Sequence, residues 1–145
     1  MKRCQIKCPY CRAKAFLRPA SFIGHFGEAY KGKEYYVCAN YPRCDSYVSA
    51  HRGSRLPMGT LADGQLRGLR REAHQAFNRL WKNRYMTIDE AYRWLQLKLG
   101  IPKSEAHIAN FSEYRCKEVI RLCTEFISSV QTAERKTDRR ETHPK

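Results

Sequence analysis

Two close cysteine pairs, Cys8-Pro9-Tyr10-Cys11 and Cys38-Ala39-Asn40-Tyr41-Pro42-Arg43-Cys44, carry the clearest chemistry in this chain. Paired thiols at such spacing predict a tetrahedral zinc site, with sulfur about 2.3 Å from the metal. Four thiolates fill the coordination shell and leave no position for a reacting water. One structural Zn2+ is therefore expected, not a catalytic one. A ribbon this small folds only with its metal, so metal affinity and folding free energy are linked. Pro9 and the Tyr41-Pro42 turn bend the two knuckles so that backbone amides face the sulfurs. Cys4 lies four residues before Cys8 and is a further candidate thiol, as ligand or as free group. His25 and His51 read as solvated residues of basic loops and are left out of the ligand set.

Cys116 and Cys123 are seven apart on one helical face and read as small apolar core residues. Seven cysteines without an apolar leader segment fit reduced thiols in a cytoplasm, bacterial or phage-infected, better than a disulfide framework. Ser/His/Asp order, P-loop, HExxH and paired carboxylates are all missing, so the sequence predicts no enzyme. No run approaches 18 apolar residues, which predicts no membrane span.

The formal net charge is +14 over 145 residues, and it is unevenly placed. Residues 1–55 carry 11 Lys/Arg against 3 acids, whereas residues 86–130 carry 6 of each. Concentrated positive charge favours a polyanionic partner, with an acidic protein as competitor. Of the cations of the first third, Arg12, Lys14, Arg18, Lys31, Lys33, Arg43, Arg52 and Arg55 are placed in the binding set. Tyr10, Phe16, Phe26, Tyr30, Tyr35, Tyr36, Tyr41 and Tyr47 alternate with them. Phosphate contacts and π-faces together suit single-stranded nucleic acid. About half of the aromatics are expected to pack the ribbon core, because alternate strand positions face opposite ways. Tyr35 and Tyr41 are placed in the binding set.

These residues need a scaffold. Ala15–Arg18, Glu34–Val37 and Tyr47–Ala50 read as strands, with a basic, aromatic hairpin tip over Ser21–Lys33 and a linker over Gly53–Gly59. A helix is expected after Thr60, with Leu66, Leu69, Ala73, Phe77 and Leu80 as its apolar stripe. Arg67, Arg70, Arg71, His74 and Asn78 fall on another face, and the three arginines extend the phosphate track. Thr87 to Glu90 is a capping box opening a helix whose stripe is Ile88, Ala91, Tyr92, Leu95 and Leu99, closed by Gly100 and Pro102. A last helix starts at Ser112-Glu113 and buries Cys116, Val119, Ile120, Cys123, Ile127 and Val130. Trp81, Tyr85 and Trp94 are core residues first and protein-binding anchors second. The fold class is α+β: a zinc ribbon over 1–55, a helical domain of about three helices over 56–130, and a disordered basic tail over 131–145.

Residues 8–47 resemble the four-cysteine zinc ribbons near the C-terminal end of bacterial type IA DNA topoisomerases. Cys8-Pro9-Tyr10-Cys11 and Tyr36-Val37-Cys38-Ala39-Asn40-Tyr41-Pro42-Arg43-Cys44 carry the likeness. In that family such ribbons bind single-stranded DNA or contact RNA polymerase, and the insertion between Cys11 and Cys38 is longer here. The whole chain is also similar to a small family of zinc-finger-containing proteins of phages and prophages, through Pro57-Met58-Gly59-Thr60-Leu61-Ala62 and Ala91-Tyr92-Arg93-Trp94-Leu95. That resemblance implies a mobile-element origin. The resulting expectation is a DNA-binding protein, selective for single strands or for structure. The alternative is a protein-binding inhibitor or adaptor acting on a host polymerase or defence nuclease.

Overall fold

The structure, a computed structural model, describes residues 5–141, with side chains to Thr137. Cys4 and the last four residues of the expected tail lie outside the described residues. The chain forms two compact units, residues 1–68 and 69–145.

The first unit is a four-stranded antiparallel sheet in the order β1 (Ile6–Lys7), β2 (Lys14–Pro19), β3 (Glu34–Cys38) and β4 (Tyr47–Ser49). β1 has only two residues, too few for an alternation to show in the sequence, and it pairs Ile6 with Ala15 and Lys7 with Lys14. β3 is central, and four of its five residues are buried. Its alternation splits the sheet into two apolar faces. Tyr36 and Cys38 join Cys8, Ala15, Ala50 and Leu61 on one face. Tyr35 and Val37 join Ala20 and Ile23 on the other, with Tyr30, Tyr41 and Tyr47 packed against them.

The first unit reaches past residue 55, because the expected linker folds back on β4. Ala50 bridges to Pro57, Tyr47 bridges to Ala62, and Leu61 is buried in the metal-side core. Gly/Pro/Ser content marks tight turns as well as linkers. Here Arg55 N–H donates to His51 O at 3.0 Å, and the turn hydrogen-bonds to itself. Helix α1 (Gly64–Lys82) starts later than expected. Asp63 replaces Thr60 as its N-cap, its Oδ1 accepting from Leu66 N–H at 2.9 Å.

In the second unit α1 buries Arg70, Ala73, Ala76, Phe77 and Leu80. Helix α2 (Ile88–Leu99) has the full capping box between Thr87 and Glu90 and a left-handed Gly100 cap. Its buried residues are Ala91 and Leu95, whereas Ile88 and Tyr92 are exposed. Helix α3 (Glu113–Glu141) buries Cys116, Val119 and Cys123. It continues through Gln131 to Glu141 where a disordered tail was expected. Thr132 and Thr137 hydroxyls donate to carbonyls four residues back, and a solvated helix needs no apolar stripe to satisfy its backbone. Trp81, Tyr85 and Trp94 are half-buried, the latter two stacked edge-on against Phe126.

Candidate metal centre and basic face

The first knuckle leaves β1 and returns as β2. Arg12 N–H donates to Cys8 O at 2.8 Å, Cys8 N–H donates to Ala13 O at 2.7 Å, and Arg12 takes a left-handed backbone at φ 64°. The second knuckle leaves β3 and returns as β4. Tyr41 N–H donates to Cys38 O at 3.0 Å and Cys44 N–H donates to Asn40 O at 2.9 Å, around a cis Tyr41–Pro42 peptide. Each β-strand pairing thus hands one cysteine pair to a common point.

There the four sulfurs of Cys8, Cys11, Cys38 and Cys44 lie within 4.8 Å of one another. Cys8 and Cys44 Sγ are 3.6 Å apart, and Cys11 and Cys38 Sγ are 3.3 Å apart. A tetrahedron of thiolates around zinc separates its sulfurs by about 3.8 Å, close to this spacing. Polar groups of Asn40 and Ser46 already face the sulfurs. Asn40 N–H points at Cys38 Sγ from 3.4 Å, and Asn40 Nδ2 donates to Cys11 Sγ at 3.5 Å. Ser46, fully buried, has its hydroxyl 3.5 Å from Cys8 Sγ, where it donates to a thiolate.

Electrostatics agree with a cation at this point. The Ala13 amide, with the Cys38 sulfur and Asn40 side chain, holds Cys11 down to about 6. Burial pushes Cys8 up, but the Ser46 hydroxyl and the Cys11 and Tyr10 amides outweigh it and keep it below the ordinary thiol value. Cys38 is pushed up by burial, and Cys44 by burial and then by its three sulfur neighbours. Four sulfurs this close ionise together only around a positive charge. The four cysteines therefore fit one zinc ion, which when bound supplies the cross-link between the two knuckles.

The cations expected to contact a polyanion separate into distinct groups. Lys14 and Arg18 are exposed on β2, and period-2 alternation puts them with Phe16 on the Tyr35–Val37 face. Lys7 of β1 stands directly opposite Lys14 on that same face. The Arg18 guanidinium lies 5.3 Å from the Phe16 ring centre and 5.6 Å from that of Phe22. Phe22 in turn sits 5.9 Å from Tyr41, which is half-buried. Phe16 and Phe22 are 43% and 49% exposed. Neither Lys7 nor Phe22 was in the expected set. Lys7 was hidden by the shortness of β1, and Phe22 by its place in a tip that reads as loop but folds as a 3-10 turn over Ala20–Ile23.

Arg12 and Arg43 are exposed on the two knuckles. Lys31, Lys33, Arg52 and Arg55 gather at the hairpin-tip end, where Arg52 donates to Lys31 O at 2.9 Å. There Lys33 lies 5.5 Å from the Tyr30 ring, and Arg55 pairs with Glu34 at 3.4 Å.

Three expected contacts have other roles. Tyr35 is buried, 7% exposed, and packs edge-on against Tyr47 and His25, because both faces of the central strand are covered and its own lies under Ala20 and Ile23. Arg67 is committed to its own unit. It donates to Asp45 O and Ala62 O at 2.7 Å each, pairs with Asp45 Oδ2 at 2.8 Å, and lies 3.7 Å over the Tyr47 ring. Arg70 is 8% exposed, with Nε donating to Phe111 O at 3.1 Å. It stands three residues before Ala73 and seven before Phe77, so helical period puts it on the buried stripe, and only its charge suggested otherwise. Arg71 is exposed, in the second unit.

No helix among the described residues is long and apolar enough to cross a membrane. Comparison with curated proteins gives no match, and comparison with solved structures gives none either. Comparison with known families matches residues 4–126 to a zinc-finger-containing domain. That span takes in the four-sulfur site, the sheet and all but the last part of the helical unit, and the chain belongs to this zinc-finger-containing family.

Proposed function

We propose that the protein is a zinc-dependent nucleic-acid-binding module, not an enzyme, and that DNA in single-stranded or locally opened form is its ligand. The supporting observation is the outward face of β1 and β2. Lys7, Lys14 and Arg18 line it, and among the described residues none of them meets a carboxylate. Phe16 and Phe22 flank Arg18 with open ring surface. Cations track phosphates, and rings accept unpaired bases by stacking, worth about 1–3 kcal/mol per base. Zinc would act only by holding the ladder that spaces these side chains. A cytoplasmic setting suits reduced thiolates, and a phage or prophage origin is what the whole-chain resemblance implies.

The test is a salt series of oligonucleotide binding. With about four phosphate contacts, the logarithm of affinity should fall with a slope of roughly −3 against the logarithm of salt for a single strand. Arg18→Ala and Phe22→Ala should each weaken binding about tenfold. Affinity that is flat in salt, or recovery of a protein partner that survives nuclease treatment with no oligonucleotide binding at low salt, would replace this reading with the adaptor role.

A further inference from the structure

The helical unit contains a cavity of ≈ 600 Å³ that the ribbon's activity does not use. One wall is a single face of α2: Asp89, Tyr92, Arg93 and Gln96 recur at helical spacing. The other wall is the 3-10 turn Lys103–Glu105 and its exit, which bring Lys103, Ala106 and His107. The walls are preformed. Gly100 reverses the chain in a left-handed cap, Ile101 N–H donates back to Gln96 O at 3.1 Å, and Ile101, Ala106 and Ile108 are buried. The Tyr92 ring is held from behind by the fully buried Phe77, at 4.9 Å between centres, and stays 40% exposed in front.

The chemistry lining this cavity is selective. Arg93, Lys103 and His107 offer donors from three positions, and among the described residues none has a carboxylate partner. Asp89 adds an acceptor that opposes a bare polyanion but receives hydroxyl or amino hydrogens. Gln96 gives an amide, and Tyr92 gives a fixed π-surface. An anionic group, a planar ring and a hydroxylated spacer are thus all matched within a volume suited to a small ligand.

We propose that this cavity binds a nucleoside monophosphate unit: the phosphate on Arg93 and Lys103, the base on Tyr92, and the sugar hydroxyls towards Asp89. The unit is either a free mononucleotide or the 5′-phosphorylated end of a strand. Every residue lining the site belongs to the second unit.

Amide chemical shifts of the zinc-loaded full-length protein, titrated with AMP, test it. AMP should move the amides of Tyr92, Gln96, Ala106 and His107, and adenosine should bind at least about tenfold more weakly. Arg93→Ala/Lys103→Ala should lower AMP affinity about tenfold or more without changing the thermal melt, since both side chains are exposed. A thymidine oligomer with a 5′-phosphate, compared with its 5′-hydroxyl twin, distinguishes the sources. Shifts at the same four amides that need the phosphate identify a strand end, and shifts with AMP alone identify a free nucleotide. No shifts up to roughly 10 mM AMP, equal binding of adenosine, or unaltered AMP affinity in the double variant overturns the proposal.

Discussion

Lys7 and Lys14 are direct partners across the β1–β2 ladder, two like charges side by side on one face of the sheet. Opposed like charges cost stability, whereas opposite charges at such a pair gain about 0.2–1 kcal/mol. The arrangement serves a surface that gains its counter-charges from outside. Lys7→Glu should therefore raise the melting temperature of the ribbon slightly and weaken oligonucleotide binding, with the salt slope reduced by more than one unit. Calorimetry and fluorescence anisotropy on the same preparation check it. A variant that loses stability and affinity together would show Lys7 to be structural.

Zinc removal should unfold the ribbon. The binding free energy of a structural four-ligand site is on the order of 10–16 kcal/mol and is spent on folding. Hydrogen exchange with a strong chelator should strip protection from Tyr35 to Cys38, the central strand, while Val119 of α3 stays protected. Cys38→Ser should reproduce the effect without chelator. Full protection of β3 in metal-free protein would show that the two apolar faces of the sheet suffice.

The three arginines of α1 should part company on substitution. Arg67→Ala removes charge-assisted bonds to Asp45 and a ring contact with Tyr47, and should destabilise the first unit by about 2 kcal/mol. Arg70→Ala leaves the Phe111 carbonyl without this donor and opens space in the core, for about 2–4 kcal/mol. Arg71→Ala, at an exposed position, should fall within about 0.5 kcal/mol of the parent. Urea titrations of the three variants give the ranking.

Burial alone pushes the Cys123 thiol up to about 12. A thiol so raised favours the folded state in its neutral form. Its contribution is complete below the ordinary thiol value and is lost as pH climbs towards 12. At pH 8, iodoacetamide followed by mass spectrometry should leave Cys123 and the fully buried Cys116 unlabelled until denaturant is added. The exposed Cys11 should react once zinc is withdrawn. Labelling of Cys123 in the folded protein would contradict its place in the core.

The metal ligands were legible because two close cysteine pairs admit few other readings, and the Thr87–Glu90 box because its two hydrogen bonds involve only neighbours in sequence. Positions decided by distant partners were not. Arg70 carries a charge that composition assigns to solvent, yet the Phe111 carbonyl, 41 residues away, supplies the acceptor that lets it be buried. Arg67 was drawn inward by Asp45 and Tyr47 in the same way. Tyr35 and Phe16 are aromatic strand residues on the same face of the sheet; the cover that Ala20 and Ile23 lay over β3, supplied from outside the strands, decides which ring meets water. Pro57 illustrates the same limit, since a turn that folds back and a free tether share one composition.

The β2–β3 ladder runs from Ala15 opposite Cys38 to Pro19 opposite Glu34. The sulfur cluster closes its first end, and the loop from Ala20 to Lys33 springs from the other, about 14 Å away at the usual rise per residue. The loop springs from the far end but folds back along the sheet, setting Phe22 5.9 Å from Tyr41 of the second knuckle. A fluorophore in place of Phe26, 73% exposed, would ride on this returning loop and sense from the sheet's far end whether the clamp is shut.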